Sequence, residues 1–219
     1  MTAGRLLGLL TPMANPTVEA EMRKLLPEDL AYVVGRLVSD HANSLDRLRQ
    51  YAEDLPASLS QFGNLDLRAV AFACTGSGYL LGARREAEIS RAASVPVLWA
   101  TQTICDALRS RDVRRLAVVS PYPEELHQAG LNYWTEAGFE IVFETRLNVG
   151  SADTRAIYSL TADDARAGLA HALEARPEGV LLSGTGMPTL PLVDLHGQVP
   201  ILSSNLCLAN AMITAYRSA

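Results

Sequence analysis

Val70-Ala-Phe-Ala-Cys74-Thr75-Gly76 and Val180-Leu-Leu-Ser-Gly184-Thr185-Gly186 are two readings of one pattern, 110 residues apart. Each is a short apolar run that closes on a small residue and a Thr-Gly turn. Two further pairs keep nearly the same spacing. Leu9-Leu10-Thr11-Pro12 answers Val118-Val119-Ser120-Pro121 at 109, and Val95-Pro96-Val97-Leu98 answers Val199-Pro200-Ile201-Leu202 at 104. One such pair would mean little, because any two buried strands look alike. Three pairs in the same order at near-constant offset mark an internal duplication.

Working outward, residues 6–10, 31–37, 69–73, 95–99, 116–119, 140–145, 179–183 and 200–203 read as strands. They are apolar on both faces, as parallel strands covered by helices must be. Helical patterns lie between them. Residues 42–53 place Leu45, Leu48 and Ala52 at helical spacing. Residues 162–175 do the same with Ala165, Leu169, Ala172 and Leu173, after an N-cap at Thr161. The alternation predicts an α/β protein of two pseudo-symmetric Rossmann-like lobes, each a mainly parallel sheet flanked by helices, with the active site between them. The lobes are expected at 1–105 and 106–204, with a last helix at 205–217 packing back onto the first.

Composition narrows the function classes. The chain has 219 residues, 48% of them apolar, and buries enough surface to fold without staples. A net charge of −5 with no basic run argues against nucleic acid. No apolar stretch approaches the roughly 20 residues of a membrane span. The opening Met-Thr-Ala-Gly-Arg carries one early charge, and its apolar run soon meets Thr11-Pro12, unlike a leader peptide. Cys74, Cys105 and Cys207 are too few and scattered for a disulfide framework or zinc site, and the four histidines lack metal spacing. Gly76-Ser-Gly78 lacks the third glycine of a dinucleotide fingerprint, and no phosphate loop occurs. The expectation is a cytoplasmic protein with reduced thiols, no metal and no cofactor, and with self-association left open.

In open parallel sheets, ligands bind beyond the carboxyl ends of the strands. Pseudo-symmetry brings four such loops to one cleft: Thr11-Pro12-Met-Ala-Asn15-Pro16, Cys74-Thr75-Gly76-Ser77-Gly78, Ser120-Pro121-Tyr122 and Ser183-Gly184-Thr185-Gly186. Cys74 ends a strand and opens a helix, where N–H groups and the helix dipole can lower a thiol pKa. A buried structural cysteine is the alternative. Thr75, Gly76, Ser77, Thr185 and Gly186 offer hydroxyl and backbone donors for carboxylate oxygens, although such residues also simply make turns. Asn15 reads either as an amide donor or as a helix cap near Thr17. Tyr122 reads as an oxyanion donor or as packing. Cys105 and Cys207 fall in helical patterns and read as core. His41, His127, His171 and His196 read as surface or helix residues.

The repeat, the strand-end Cys74-Thr75-Gly76 and the opening Thr11-Pro12-x-x-Asn15-Pro16-Thr17-x-Glu19-x-Glu21 resemble the aspartate/glutamate racemase superfamily. The nearest branch resembles maleate cis–trans isomerases and arylmalonate decarboxylases. The resemblance implies cofactor-free chemistry at the α-carbon of a small dicarboxylate. Two strand-end positions would face the substrate from opposite sides. Racemases and isomerases have cysteine at both, whereas this chain has Cys74 and Gly184. The resembling decarboxylases also have one cysteine, on the second lobe. The family's substrate-binding positions fall on Pro12, Asn15, Thr75, Gly76, Tyr122, Gly184, Thr185 and Gly186. Another polar ligand of the isomerases falls near residues 151–154, where no residue can be carried over.

One thiol cannot easily serve both faces of a carbon, as racemisation requires. Decarboxylation needs only donors for an enediolate and one acid, which Cys74 supplies. The leading expectation is a one-cysteine decarboxylase of a malonate-type substrate. A maleate-type or racemase-like isomerase with Cys74 as nucleophile or base is the alternative. A non-catalytic carboxylate-binding protein is the third.

Overall fold

The computed structural model describes residues 6–218. Residues 1–5, read above for a leader segment, and residue 219 lie outside it. The first half runs β1 (Leu6–Pro12), α1 (Thr17–Leu25), β2 (Tyr32–Leu37), α2 (Ser44–Glu53), α3 (Leu55–Ser60), β3 (Leu67–Phe72), α4 (Thr75–Ala92), β4 (Val97–Trp99) and α5 (Ala100–Arg109). The second runs β5 (Arg115–Ser120), α6 (Glu124–Glu136), β6 (Glu140–Arg146), α7 (Ala162–Glu174), β7 (Gly179–Leu182), β8 (Ile201–Ser203) and α8 (Ser204–Arg217). Short 3-10 turns occupy Thr154–Ser159 and Leu190–Leu192.

Each half builds a four-stranded sheet, in the orders β2-β1-β3-β4 and β6-β5-β7-β8. All pairings between these strands are parallel. The two orders correspond strand for strand under the sequence repeat, so the duplication is structural. Among the described residues no helix is long and apolar enough to cross a membrane.

The period of two along β3 decides where the site sits. Ala69, Ala71 and Ala73 face one core, with Leu7, Leu9, Val18 and Met22. Leu208, Ala209 and Met212 of α8 close that core, so the last helix returns to cover the first sheet. Val70, Phe72 and Cys74 face the other core, which continues into the second half through Leu116, Val118 and Leu182. Alternation alone therefore directs Cys74 toward the junction of the halves.

The helix ends follow the local sequence. Asn43 caps α2, its side chain accepting from the N–H groups of Leu45 and Asp46 at 2.8 and 3.2 Å. At the start of α7 the Asp164 carboxylate accepts from the Thr161 N–H and hydroxyl at 2.7 and 2.8 Å, as the Thr161 cap suggested. His127 falls in a helix, as read, but not on the surface. It is buried on α6 and hydrogen-bonds Glu144 at 2.6 Å.

Candidate functional site

A cavity of about 320 Å³ opens at the carboxyl ends of both sheets. Pro12, Asn15, Cys74, Tyr122, Thr185 and Gly186 line it, all of them expected there. Loops of both halves thus meet at one place, and a web of side-chain bonds holds them. Thr17 donates to the Gly186 carbonyl at 2.8 Å, and Thr185 to the Ala73 carbonyl at 3.0 Å. The buried Glu21 carboxylate accepts from the N–H groups of Thr189 and Leu190 at 2.6 and 3.0 Å and from the Asn205 amide at 2.8 Å. That amide also donates to the Thr185 carbonyl at 3.0 Å. Thr17 and Glu21 of the opening motif are therefore the residues that fix the second half's loop against the first.

Cys74 is the N-cap residue of α4 and only 5% exposed. Its sulfur accepts from the Ser77 hydroxyl at 3.2 Å. That donor and the nearby N–H groups of Gly76 and Ser77 favour a thiolate, as the helix position suggested. Burial acts the other way and dominates, holding the Cys74 thiol above its ordinary value. The resting group is a thiol that keeps its proton, with a cradle ready for the thiolate. Burial likewise pushes Cys105 and Cys207 up to about 12, and both lie within helices, as read from sequence.

Asn15 does two things at once. Its Oδ1 accepts from the N–H groups of Thr17 and Val18 at 2.9 and 3.2 Å, which caps α1. The amide orientation is thereby fixed, leaving Nδ2 as its remaining donor. Tyr122 stands on the cavity wall, its hydroxyl 2.6 Å from Thr75 Oγ1. Burial drives the phenol's pKa further up, so the hydroxyl stays a donor.

Three expected ligands stand behind the wall instead of on it. Thr75 is fully buried and orients Tyr122. Gly76 packs under Leu48 and Leu126, leaving room for little more than its hydrogen. Gly184 takes φ +99°, and a side chain there would point at Pro121, 2.9 Å away, beside the Tyr122 hydroxyl. The sequence alignment of the halves is sound, but equivalence of strand ends does not make the second one open onto the cavity.

The structure also adds Arg47, Tyr51, Arg155 and Tyr158, which the sequence reading passed over, and His41, which it read as a surface or helix residue. Arg47 is buried on α2, one helical turn before Tyr51 and so on the same face. An arginine on the apolar side of an amphipathic helix was the available signal.

A family model described as arylmalonate decarboxylase matches residues 7–216. The chain belongs to the arylmalonate decarboxylase family. A curated relative, the maleate isomerase of Geobacillus stearothermophilus, is 19% identical over 161 residues. That match takes in 65% of this chain and 63% of the relative. Among solved structures, the Nocardia farcinica maleate cis–trans isomerase, a cysteine-to-serine mutant with a covalently bound succinylcysteine intermediate, superposes with TM-score 0.81. It is 21% identical, with 96% of this chain and 92% of that one covered. A liganded arylmalonate decarboxylase with one glycine changed to cysteine and one cysteine to serine gives TM-score 0.80 at 19% identity. Coverage there is 98% and 93%. At such identities the structural likeness establishes the fold of this family member, two parallel four-stranded sheets flanked by helices.

Proposed function

We propose that the protein is a cofactor-independent decarboxylase of a malonate-type dicarboxylate, with Cys74 as its acid. The observation that carries this reading is a single cysteine, Cys74, on the cavity wall, with Gly184 at the equivalent strand end of the other half. Asn15 Nδ2 and the Tyr122 hydroxyl would hold the carboxylate that remains. The N–H groups of Thr185 and Gly186, which find no acceptor among the described residues, stand beside them. The bond from the α-carbon to the other carboxylate breaks and carbon dioxide leaves. The electron pair moves into the retained carboxylate as an enediolate, where each preorganised donor contributes roughly 3–4 kcal/mol. The Sγ proton then passes to the α-carbon. The thiolate left behind is steadied by the Ser77 hydroxyl and by the start of α4 until water returns a proton. Substrate and product are small carboxylates, and the three unpaired cysteines suit a cytoplasmic setting.

The second reading is cis–trans isomerisation. It is favoured by the succinylcysteine of the Nocardia enzyme, in which a thiol is joined to the substrate. That route starts from a thiolate, and burial at Cys74 opposes one. Incubation with malonate, phenylmalonate and maleate separates the readings. Release of carbon dioxide from a malonate supports the decarboxylase, and fumarate from maleate without carbon dioxide overturns it. Saturable binding without turnover would make the protein a carboxylate-binding one and overturn it also.

A further inference from the structure

Arg47 is 4% exposed and lines the cavity, yet its guanidinium already has partners. Nη1 donates to the His41 carbonyl at 3.1 Å, on the loop that follows β2. Nη2 donates to Ser44 Oγ at 2.9 Å and to Asp153 Oδ1 at 2.8 Å, on the segment that follows β6. One planar fork therefore holds a segment from each half.

Those segments are equivalent, because β2 and β6 stand at the same edge of their sheets. The repeat's offset of 110 carries Asn43 onto Asp153 and Ser44 onto Thr154. Asn43 caps α2, and Asp153 caps the Thr154–Ser159 turn by accepting from the Arg155 N–H at 2.9 Å. The second pair is in direct contact, the Thr154 N–H donating to Ser44 Oγ at 3.2 Å. A contact between equivalent residues lies on the axis that relates the halves. The halves thus meet on that axis beside the cavity, and Arg47 ties them there. The counterpart of Arg47 at the same offset is Ile157, so the tie is made from one side only.

What the tie fixes is passed to the cavity. The turn that Asp153 starts places Ile157 and Tyr158 on the cavity wall, and His41 and Ala42 line the same cavity. Tyr158 packs so closely on Gly186 that a Cβ there would lie 2.8 Å from its ring. Stability alone does not call for a buried ion pair, since apolar packing can replace one. A fork that spans two segments fixes the distance between them.

We infer that Arg47 is a positioning residue: through Asp153 and the His41 carbonyl it sets the spacing of the two wall segments between which the substrate binds, acting through them and not on the reacting atoms. The inference rests on the decarboxylase reading for its assay. Carbon dioxide release from phenylmalonate is followed for the whole protein, for Arg47→Met, for Asp153→Asn and for the double variant. Loosened walls weaken ground-state and transition-state binding alike, so Arg47→Met should raise KM about tenfold and leave kcat within about twofold. Asp153→Asn keeps a capping side chain and removes its charge, so it should raise KM by a smaller factor. It alters a partly exposed side chain, so it reads the tie even where Arg47→Met does not fold. In the double variant the second change should add little, because both act through one contact.

A purely structural role predicts the reverse, less active enzyme at unchanged KM. Unchanged KM in the variants that fold would overturn the inference and leave the decarboxylase reading standing. Should the unsubstituted protein release no carbon dioxide, that reading falls and the tie is read from the malonate dissociation constant, which both substitutions should raise. A dissociation constant that neither moves, or no binding of malonate at all, would overturn the tie as well.

Discussion

The ends of β3 and β7 began as one pattern and now lead into different structures. After β3 the chain enters α4 at once, with Cys74 at its N-cap position and the Ser77 hydroxyl donating to its sulfur. After β7 no long helix comes. The backbone turns at Gly184 and continues through the short Leu190–Leu192 turn to β8. A helix N-terminus is what steadies the anion left when a thiol gives up its proton. The duplicated scaffold offers two equivalent strand ends, yet only one retains that device.

The ties between the halves differ in the same way. Glu21 on α1 grips Thr189 beyond β7. On the other side of the pseudo-twofold, Tyr79 on α4 lies against Gly130 on α6, where a Cβ would come within 3.0 Å of its ring. Positions 21 and 130, and 79 and 189, are related by 109 and 110, the repeat's own offsets. One contact is thus a carboxylate hydrogen bond on one side and aromatic packing on the other, where the Tyr79 hydroxyl meets Ser183 Oγ at 2.7 Å.

Substitutions can break this comparison at several strengths. Cys74→Ala should cost the most, about 10³-fold in decarboxylation rate, within the span general acids supply. Carbon dioxide release checks it, and Cys207→Ala should retain the activity. Next is Glu21→Ala, which strips the acceptor from two backbone N–H groups and one amide. Unfolding in urea should register a loss of about 3 kcal/mol or more. Gly184→Ala should cost roughly 1–2 kcal/mol, from the positive φ and the approach to Pro121. Were it neutral, Gly184 would be a remnant of the duplication and not a built turn. Smallest is Tyr79→Phe, about 1 kcal/mol for one neutral hydrogen bond. If it matched Glu21→Ala, the two ties would be equivalent after all.

The line between what was legible in the sequence and what was hidden is a physical one. The strands and the cleft at the carboxyl ends were legible because short apolar runs and strand-end loops are local signals, repeated twice. Cys74, Asn15 and Tyr122 were legible because each stands beside a strand end. Thr75 and Gly184 were placed one layer too far forward, since direction at a strand end depends on the φ of a single residue. Arg155 and Tyr158 escaped notice because the segment around the Thr154–Ser159 turn has no periodicity to place it. It reaches the cavity through contacts with α2, such as the Thr154 N–H on Ser44 Oγ at 3.2 Å. The balance at Cys74 was also out of reach. A helix start is visible in sequence, whereas the depth of burial that outweighs it is not.

The state of that thiol is best measured by titrating its alkylation, with each cysteine mapped by mass spectrometry. Cys74 reaches the cavity, so iodoacetamide can approach it, but burial holds its pKa up. Labelling should stay slow through neutral pH and rise with a midpoint above the ordinary thiol value of about 8.5. Cys105 and Cys207, pushed up to about 12, should stay unlabelled in the folded protein over the same range. The sign carries over to stability. A pKa raised by folding means that the contribution of Cys74 is complete below the ordinary thiol range and fades as pH climbs through the folded value. A Cys74 midpoint above the ordinary thiol value is the predicted result. A midpoint below that value, with fast labelling at neutral pH, would contradict its role as the proton-bearing acid.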